Sequence, residues 1–232
     1  MRRTEKDILG TKELSEETLY GINTARALEN FALGQEKMNR NLVRAIVIVK
    51  KAAATTYLKL KIGNEDVESA IIKACNRVLD GECDMEACFP LQALQGGAGT
   101  SANMNVNEVL ANLALLEMGH KPGEYDVIHP LDDVNRGQST NDVYPTALRL
   151  AAIRQLRLLS DACAKLQTAF QEKENLWQDV EKLGRTELMD AVPVTLGEEF
   201  GAYAQALARD RWRLYKVEER LRQVNIGGTA VG

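Results

Sequence analysis

Three polar segments that contain glycine carry the residues best suited to binding a small anion. They are residues 129–142, 96–105 and 184–193, and they are rich in hydroxyl and carboxamide side chains. Each precedes a stretch whose apolar residues have helical spacing. Because a helix N-terminus offers free N–H groups and the positive end of the helix dipole, such side chains there can form an anion site. The three segments together predict one composite site for a small carboxylate.

The segment 138–142 (Gln-Ser-Thr-Asn-Asp) has more polar side chains than a helix start requires. One N-cap side chain is enough to serve a helix terminus, whereas this segment offers five polar residues in succession. The surplus favours a ligand site over helix capping alone.

The other two segments are open to simpler interpretations. Residues 96–105 could be a glycine turn followed by a helix with Thr100 or Ser101 as N-cap residue. They lack the lysine of a phosphate-binding loop, which argues against nucleotide binding. By their chemistry alone, residues 185–187 are more typical of a solvated turn.

His129 has two nearby carboxylates, Asp132 and Asp133, and could belong to a charge-relay pair. No serine in a nucleophile-elbow motif lies close in sequence, so a hydrolase triad is weakly supported. A hydrogen-bonded loop is the favoured interpretation.

Composition excludes several classes of protein. The 232 residues have a net charge of −4, which gives no basic face for nucleic acid. No apolar run of about 18 residues is present to span a membrane, and no signal sequence begins the chain, so we expect a cytoplasmic protein. The four cysteines do not have the spacing of a zinc site, and we expect neither a metal nor an organic cofactor. An activating divalent cation is left open.

Helical periodicity dominates the chain and predicts an all-α fold. Helices are expected from Leu42 to Gly63, from Asn64 to Gly81 and from Thr100 to Met118. Two longer apolar seams follow, over residues 148–170 and after Pro193, each on a helix about 40 Å long. We divide the chain into an N-terminal helical domain, 1–138, and the first part of a long-helix domain, 139–232.

The two long seams cannot cover each other completely, so further helices must pack against them, from this chain or from identical subunits. The last residues, 225–232, form a glycine-rich stretch that is typical of an incomplete loop. We therefore expect the chain to be a fragment of a longer protein.

The polar segments resemble the signature regions of the aspartase/fumarase superfamily, in the family's order. The first is GGAGTSANMNVNE at 96–108, the second is QSTND at 138–142, and the third is GRTELMDAVPVTLG at 184–197. The opening segments GTKEL at 10–14 and YGINTARALENF at 20–31 are similar as well and lean toward the aspartase branch. The resemblance covers nearly the whole chain.

This resemblance implies an N-terminal helical domain followed by long helices, which belong to a central bundle formed by the helices of four subunits. Each active site is then assembled from three different chains of a homotetramer, with one polar segment from each chain. The substrate class is a small dicarboxylate. The implied reaction is a reversible anti elimination from a substituted succinate that releases fumarate.

The resemblance also implies roles for individual residues. Thr100, Ser139 and Thr140 would bind the carboxylate on which charge develops, and preorganised donors are the main catalytic requirement there. Asn141 would contact the leaving amine, and Thr186 would bind the other carboxylate. The family's base is a serine in a Gly-Ser-Ser loop that the sequence does not contain, so we expect this chain alone to be inactive.

Two positions depart from the family pattern. Glu187 stands where fumarases carry histidine and some aspartases carry glutamine, and a carboxylate there favours a substrate ammonium over a hydroxyl. Leu131 replaces an asparagine of the secondary dicarboxylate site that many fumarases have near His129, so we do not expect that site here. We therefore favour removal of ammonia from L-aspartate. The alternatives are hydration of fumarate to malate, or a non-catalytic helical assembly module.

Overall fold

The structure is a computed structural model that describes residues 1–229. Helices occupy most of this range, and four short strands and one π-helical turn accompany them. In chain order the elements are β1 (Arg2–Asp7), β2 (Gly10–Ser15), α1 (Ile22–Asn30), α2 (Arg40–Leu60), α3 (Glu65–Asp80), α4 (Met85–Cys88), α5 (Thr100–Glu117), the π-helical turn (Pro130–Val134), α6 (Thr140–Leu176), β3 (Glu181–Thr186), β4 (Met189–Thr195) and α7 (Leu196–Leu221).

The chain forms two compact units. The first comprises Met1–Ala151 together with the segment that begins at Val224, and the second comprises Ala152–Gln223. Helix α6 is continuous from the first unit into the second. Residues 230–232 of the predicted C-terminal loop lie outside the described part of the chain.

The all-α prediction holds for the predominance of helices but missed two antiparallel hairpins. Strands β1 and β2 pair near the N-terminus, and β3 pairs with β4 between the two long helices. The sequence predicted only helices on the two sides of the third polar segment, whereas α6 ends at Leu176 and β3 follows at Glu181. The β-branched residues around Pro193 favour an extended strand, and the proline itself opposes a helix. The third polar segment is therefore a hairpin, which leads into α7.

The bounds predicted for the second helix, from Asn64 to Gly81, are confirmed by the caps of α3. The side chain of Asn64 accepts a hydrogen bond from the Asp66 amide at 2.9 Å, and Gly81 ends the helix with a φ of 85°. Helix α2 ends slightly earlier than predicted, because Lys61 adopts the left-handed conformation before Gly63 is reached.

Helix α5 is the centre of the first unit. Its residues from Ala102 to Leu115 are all buried, and α2, α3 and α1 pack around it. Several of these buried residues are polar: Asn103, Asn105, Asn107, Glu108 and Asn112. Because a buried polar side chain without a partner is costly, these positions must be satisfied by neighbouring elements.

The second unit contains most of α6, the β3–β4 hairpin and α7. A capping box begins α7, in which Thr195 accepts from the Glu198 amide and Glu198 accepts from the Thr195 amide. An aromatic cluster packs the two long helices together near the hairpin: Phe170, Trp177, Phe200 and Tyr203. None of the described helices is long and apolar enough to cross a membrane.

Candidate carboxylate-binding site

A glycine turn places the start of α5 directly against α6. Gly97 and Gly99 have φ values of 72° and 88°, a region that glycine occupies without strain. A Cβ atom on Gly99 would lie 2.2 Å from the ring of Tyr144, so only glycine permits this approach. Gly99 is the N-cap residue, and no side chain caps the helix. Capping by Thr100 or Ser101 was therefore a wrong alternative, and Thr100 is exposed at the helix start.

The start of α6 uses part of its polar segment for capping. Ser139 Oγ accepts from the Asn141 amide at 3.2 Å, and Asp142 Oδ2 accepts from the Ser139 amide at 3.2 Å. This reciprocal pair accounts for two of the five polar residues. The side chains of Thr140 and Asn141 are not needed for this capping, which agrees with the prediction that the segment has more polar side chains than a helix start requires. Asn141 is exposed and Thr140 is half-buried.

A hydrogen bond joins the two helix starts. Asn103 Nδ2 on α5 donates to Thr140 Oγ1 on α6 at 3.3 Å. Four of the six candidate residues therefore belong to two helix N-termini of the first unit: Thr100, Ser139, Thr140 and Asn141. Two positive dipole ends and several hydroxyl groups in one region can bind a carboxylate.

A proline and the C-terminal segment shape the first turns of α6. Pro145 lies in the second turn of α6, because the helix begins at Thr140. Proline has no N–H to donate to the carbonyl four residues earlier, that of Asn141. Asn225 Nδ2 donates to this carbonyl at 3.0 Å instead, and the Thr229 amide donates to Asp142 Oδ2 at 2.9 Å.

The remaining two candidates, Thr186 and Glu187, lie in the second unit. Thr186 ends β3 and pairs with Met189, which leaves a two-residue turn of Glu187 and Leu188. Both turn residues have positive φ, 48° and 63°, as in the tight turns that suit the twist of a hairpin. The turn exposes Glu187 and Thr186 to solvent.

His129 takes part in a local hydrogen-bond network, as predicted. Its backbone amide donates to Asp133 Oδ2 at 2.7 Å, and its Nδ1 accepts from the amides of Leu131 and Asp132. The imidazole is thus the N-cap of the π-helical turn.

A buried polar network that the sequence did not predict lies beneath the two helix starts. Asn135 Oδ1 accepts from Lys50 Nζ at 2.7 Å, from Asn103 Nδ2 at 3.0 Å and from Asn107 Nδ2 at 3.2 Å. Lys50 is only 1% exposed, and burial lowers the pKa of its ammonium to about 7. The available signals were the position of Lys50 four residues after Ile46, on the apolar face of α2, and the asparagines at alternate positions of α5.

A second polar cluster holds the chain between the π-helical turn and α6. Arg136 pairs with Glu68 at 3.2 Å and with Asp133 at 2.6 Å, and Tyr57 donates to the Arg136 carbonyl at 2.5 Å. Burial raises the pKa of Glu68 to about 7, although Arg136 opposes the shift.

No group of three or more potential metal-binding side chains occurs within residues 1–229.

The sequence falls in a family of enzymes consistent with a site of this kind. Residues 10–232 match the lyase family, and the chain belongs to it. The aspartate ammonia-lyase of Escherichia coli strain K12 is 46% identical over 99% of this chain and 48% of its own length. The chain thus spans about half the length of the curated relatives it matches.

Solved structures support the same assignment. The fumarate lyase:delta crystallin from Brucella melitensis, determined with cobalt bound, has a TM-score of 0.96 and 49% identity over 100% of this chain and 50% of that one. The recombinant class II fumarase from Schistosoma mansoni has a TM-score of 0.93 and 34% identity over 100% of this chain and 49% of that one.

Proposed function

We propose that this chain supplies the dicarboxylate-binding part of an aspartate ammonia-lyase. The observation that carries the proposal is the 46% identity to the Escherichia coli enzyme over 99% of this chain. The joined helix starts of α5 and α6 support it physically, because they offer hydroxyl donors and positive dipole ends to an anion. The reaction is the reversible anti elimination of ammonia from L-aspartate to give fumarate.

In this proposal, the residues of the first unit bind the carboxylate next to the carbon that loses its proton. Thr100, Ser139 and Thr140 donate hydrogen bonds to the charge that develops on this group, and their fixed positions lower the barrier. Asn141 contacts the leaving amine. These roles agree with the exposure of Thr100 and Asn141 at their helix starts.

In the second unit, we propose that Thr186 binds the other carboxylate and that Glu187 attracts the substrate ammonium. The turn that holds both residues has two non-glycine residues with positive φ, a strained conformation of the kind that clusters at ligand sites. We further propose that four chains assemble and that each active site takes its polar segments from three of them. A cytoplasmic location remains part of this prediction.

Hydration of fumarate is the second candidate function, because the Schistosoma mansoni fumarase has nearly the same fold. Its 34% identity is lower than the 46% of the aspartate ammonia-lyase, which favours the ammonia-lyase. Glu187 favours the ammonia-lyase as well, because a carboxylate attracts an ammonium more strongly than a neutral hydroxyl.

The test is to express the protein from its intact gene, supply L-aspartate or L-malate, and follow fumarate by ultraviolet absorbance and ammonia by an enzymatic assay. We expect fumarate and ammonia in equal amounts from aspartate, and no turnover by the 232-residue chain alone. Fumarate from malate only would identify a hydratase. Fumarate from neither substrate, with succinate failing to bind, would favour a non-catalytic assembly module.

A further inference from the structure

Lys50 is a buried amine without a carboxylate partner. Its side chain lies on the apolar face of α2, and its hydrogen bond within the described residues goes to the neutral oxygen Asn135 Oδ1. No carboxylate of residues 1–229 lies within ion-pair distance of it. A buried ammonium without a counter-charge is costly, so a position that keeps a lysine there has a reason to do so.

Asn135 connects this ammonium to the proposed carboxylate site by two routes. Its Nδ2 donates to the Gln138 carbonyl at 3.0 Å, which fixes the backbone just before Ser139. Its Oδ1 accepts from Asn103 Nδ2, the group that also donates to Thr140 Oγ1. Displacement of Asn135 would therefore move both the start of α6 and the Thr140 hydroxyl.

We propose that Lys50 is a positioning residue for the dicarboxylate site, which holds Asn135 and through it the start of α6 and the Thr140 hydroxyl. This inference rests on the proposed function, which assigns a dicarboxylate as the ligand of that site. Lys50 acts through Asn135 and need not touch the substrate.

Two observations distinguish this role from simple support of the core. The network is unsaturated, since the buried atoms Asn103 Oδ1 and Asn107 Oδ1 have no hydrogen-bond partner among the described residues. A network that served stability alone would be expected to satisfy these acceptors. The missing counter-charge is also explained, because a dicarboxylate bound at the helix starts would supply negative charge to Lys50.

The charged surroundings of Lys50 make this electrostatic link measurable. The titratable group that faces it from α3 is Cys75, whose thiol is neutral because burial raises its pKa to about 12. The asparagines that face it from α5 are neutral, and the nearby Glu68 and Arg136 pair with each other. With the pKa of Lys50 lowered to about 7, a bound dianion should draw a proton onto it near neutral pH.

The experiment uses protein expressed from the intact gene, with succinate as an unreactive dicarboxylate probe. Lys50→Met removes the donor and the charge at similar side-chain length, and Lys51→Met on the same helix is the matched control. We expect Lys50→Met to bind succinate about tenfold more weakly and to lose about 10- to 100-fold in kcat/KM for aspartate. Lys51→Met should behave as the wild type.

Lys50→Gln adds a rescue test. It keeps an N–H donor for Asn135 Oδ1 without the charge, so we expect a smaller loss of succinate affinity than in Lys50→Met. Calorimetry at pH 7 in two buffers of different ionisation enthalpy measures proton uptake on binding. We expect net uptake with the wild type and Lys51→Met, and none with Lys50→Met, in which Glu68 is still present.

A folded Lys50→Met protein with the succinate affinity, proton uptake and kcat/KM of Lys51→Met would overturn the inference. If circular dichroism shows that Lys50→Met does not fold, Asn135→Ala breaks the same hydrogen bond from its other end. The same tenfold loss is expected there, and unchanged affinity would overturn the inference. A wild type that forms no fumarate from aspartate instead refutes the proposed function.

Discussion

At the scale of single residues, Glu187 is the position where this chain departs most informatively from its family pattern. The hairpin turn exposes its side chain, and its φ of 48° is one that a non-glycine residue rarely adopts. Selection between aspartate and malate by this residue would rest on charge alone, since an ammonium and a hydroxyl differ little in size.

Glu187→His should lower kcat/KM for aspartate about tenfold in the protein from the intact gene, because the substrate ammonium loses its attraction. Use of malate, where detectable, should fall less. Steady-state kinetics with both substrates are the measurement, and Glu181→Gln at the base of the same hairpin is the control. Equal effects on both substrates would remove Glu187 from substrate selection.

Glu68 predicts a pH dependence of stability. Its pKa is raised to about 7 in the folded protein, so the carboxyl group keeps its proton there at pH values at which the unfolded chain has lost it. The stabilisation is complete below the ordinary pKa of 4.5 and is lost as pH rises through about 7.

Thermal unfolding between pH 5 and 8 tests this dependence against Glu68→Gln, which cannot ionise. The Tm of the wild type should fall relative to this variant by about 2–4 °C over the range. Glu65→Gln, at an exposed position of the same helix, is the control and should leave the slope unchanged. Parallel curves for the wild type and Glu68→Gln would contradict the prediction.

At the scale of elements, the candidate carboxylate site lies at the starts of two helices that a hydrogen bond joins. Gly99 lets α5 begin against Tyr144 of α6, and Asn103 bonds to Thr140. The carbonyl of Asn141 is left free by Pro145 and accepts from Asn225, so the segment after α7 helps to hold the start of α6.

Gly99→Ala should destabilise the chain by about 3 kcal/mol or more, because the new Cβ would lie 2.2 Å from the Tyr144 ring. Gly119→Ala is the matched control, since its φ of 82° is similar but no atom lies within 4 Å of the added Cβ. That variant should lose about 1 kcal/mol from backbone strain alone. Chemical unfolding measures both values, and equal losses would mean that contact with Tyr144 is unimportant.

At the scale of the whole molecule, the second unit leaves much apolar surface uncovered. Leu158, Trp212 and Tyr215 are each 63% exposed on its two long helices. Large apolar side chains in such numbers are typical of surfaces that associate with other chains. This observation supports the proposed tetramer, in which helices from several subunits would cover one another.

The proposed sharing of active sites between subunits predicts complementation between inactive variants. Ser139→Ala affects the first unit and Thr186→Ala the second, and each should be nearly inactive alone. Co-expression should restore about a quarter of the wild-type specific activity, since random mixing brings two intact segments together in that fraction of sites. Co-expression of Ser139→Ala with Thr140→Ala should restore nothing, because both changes lie in one segment. A Ser139→Ala and Thr186→Ala mixture that stays inactive would argue for sites within single chains.

Features governed by neighbours in sequence were determined by the sequence itself. Helical spacing predicted α2, α3 and α5, and the caps at Asn64 and Gly81 followed from local backbone chemistry. The order and composition of the polar segments also indicated the family to which the chain belongs. Such signals are local, so they can be read without knowing how the chain folds.

Only the tertiary structure decided which of these features meet. The β3–β4 hairpin was missed because it forms by pairing between two strands, which the helical spacing on either side of it does not signal. The bond between Lys50 and Asn135 joins residues 85 positions apart, and Asn103 reaches Thr140 across 37 positions. A buried lysine on an apolar helix face has the same local pattern whether its partner is water, a carboxylate or an asparagine. Its partner is set by packing, because only packing brings distant polar groups within hydrogen-bond distance and removes the water that would otherwise compete.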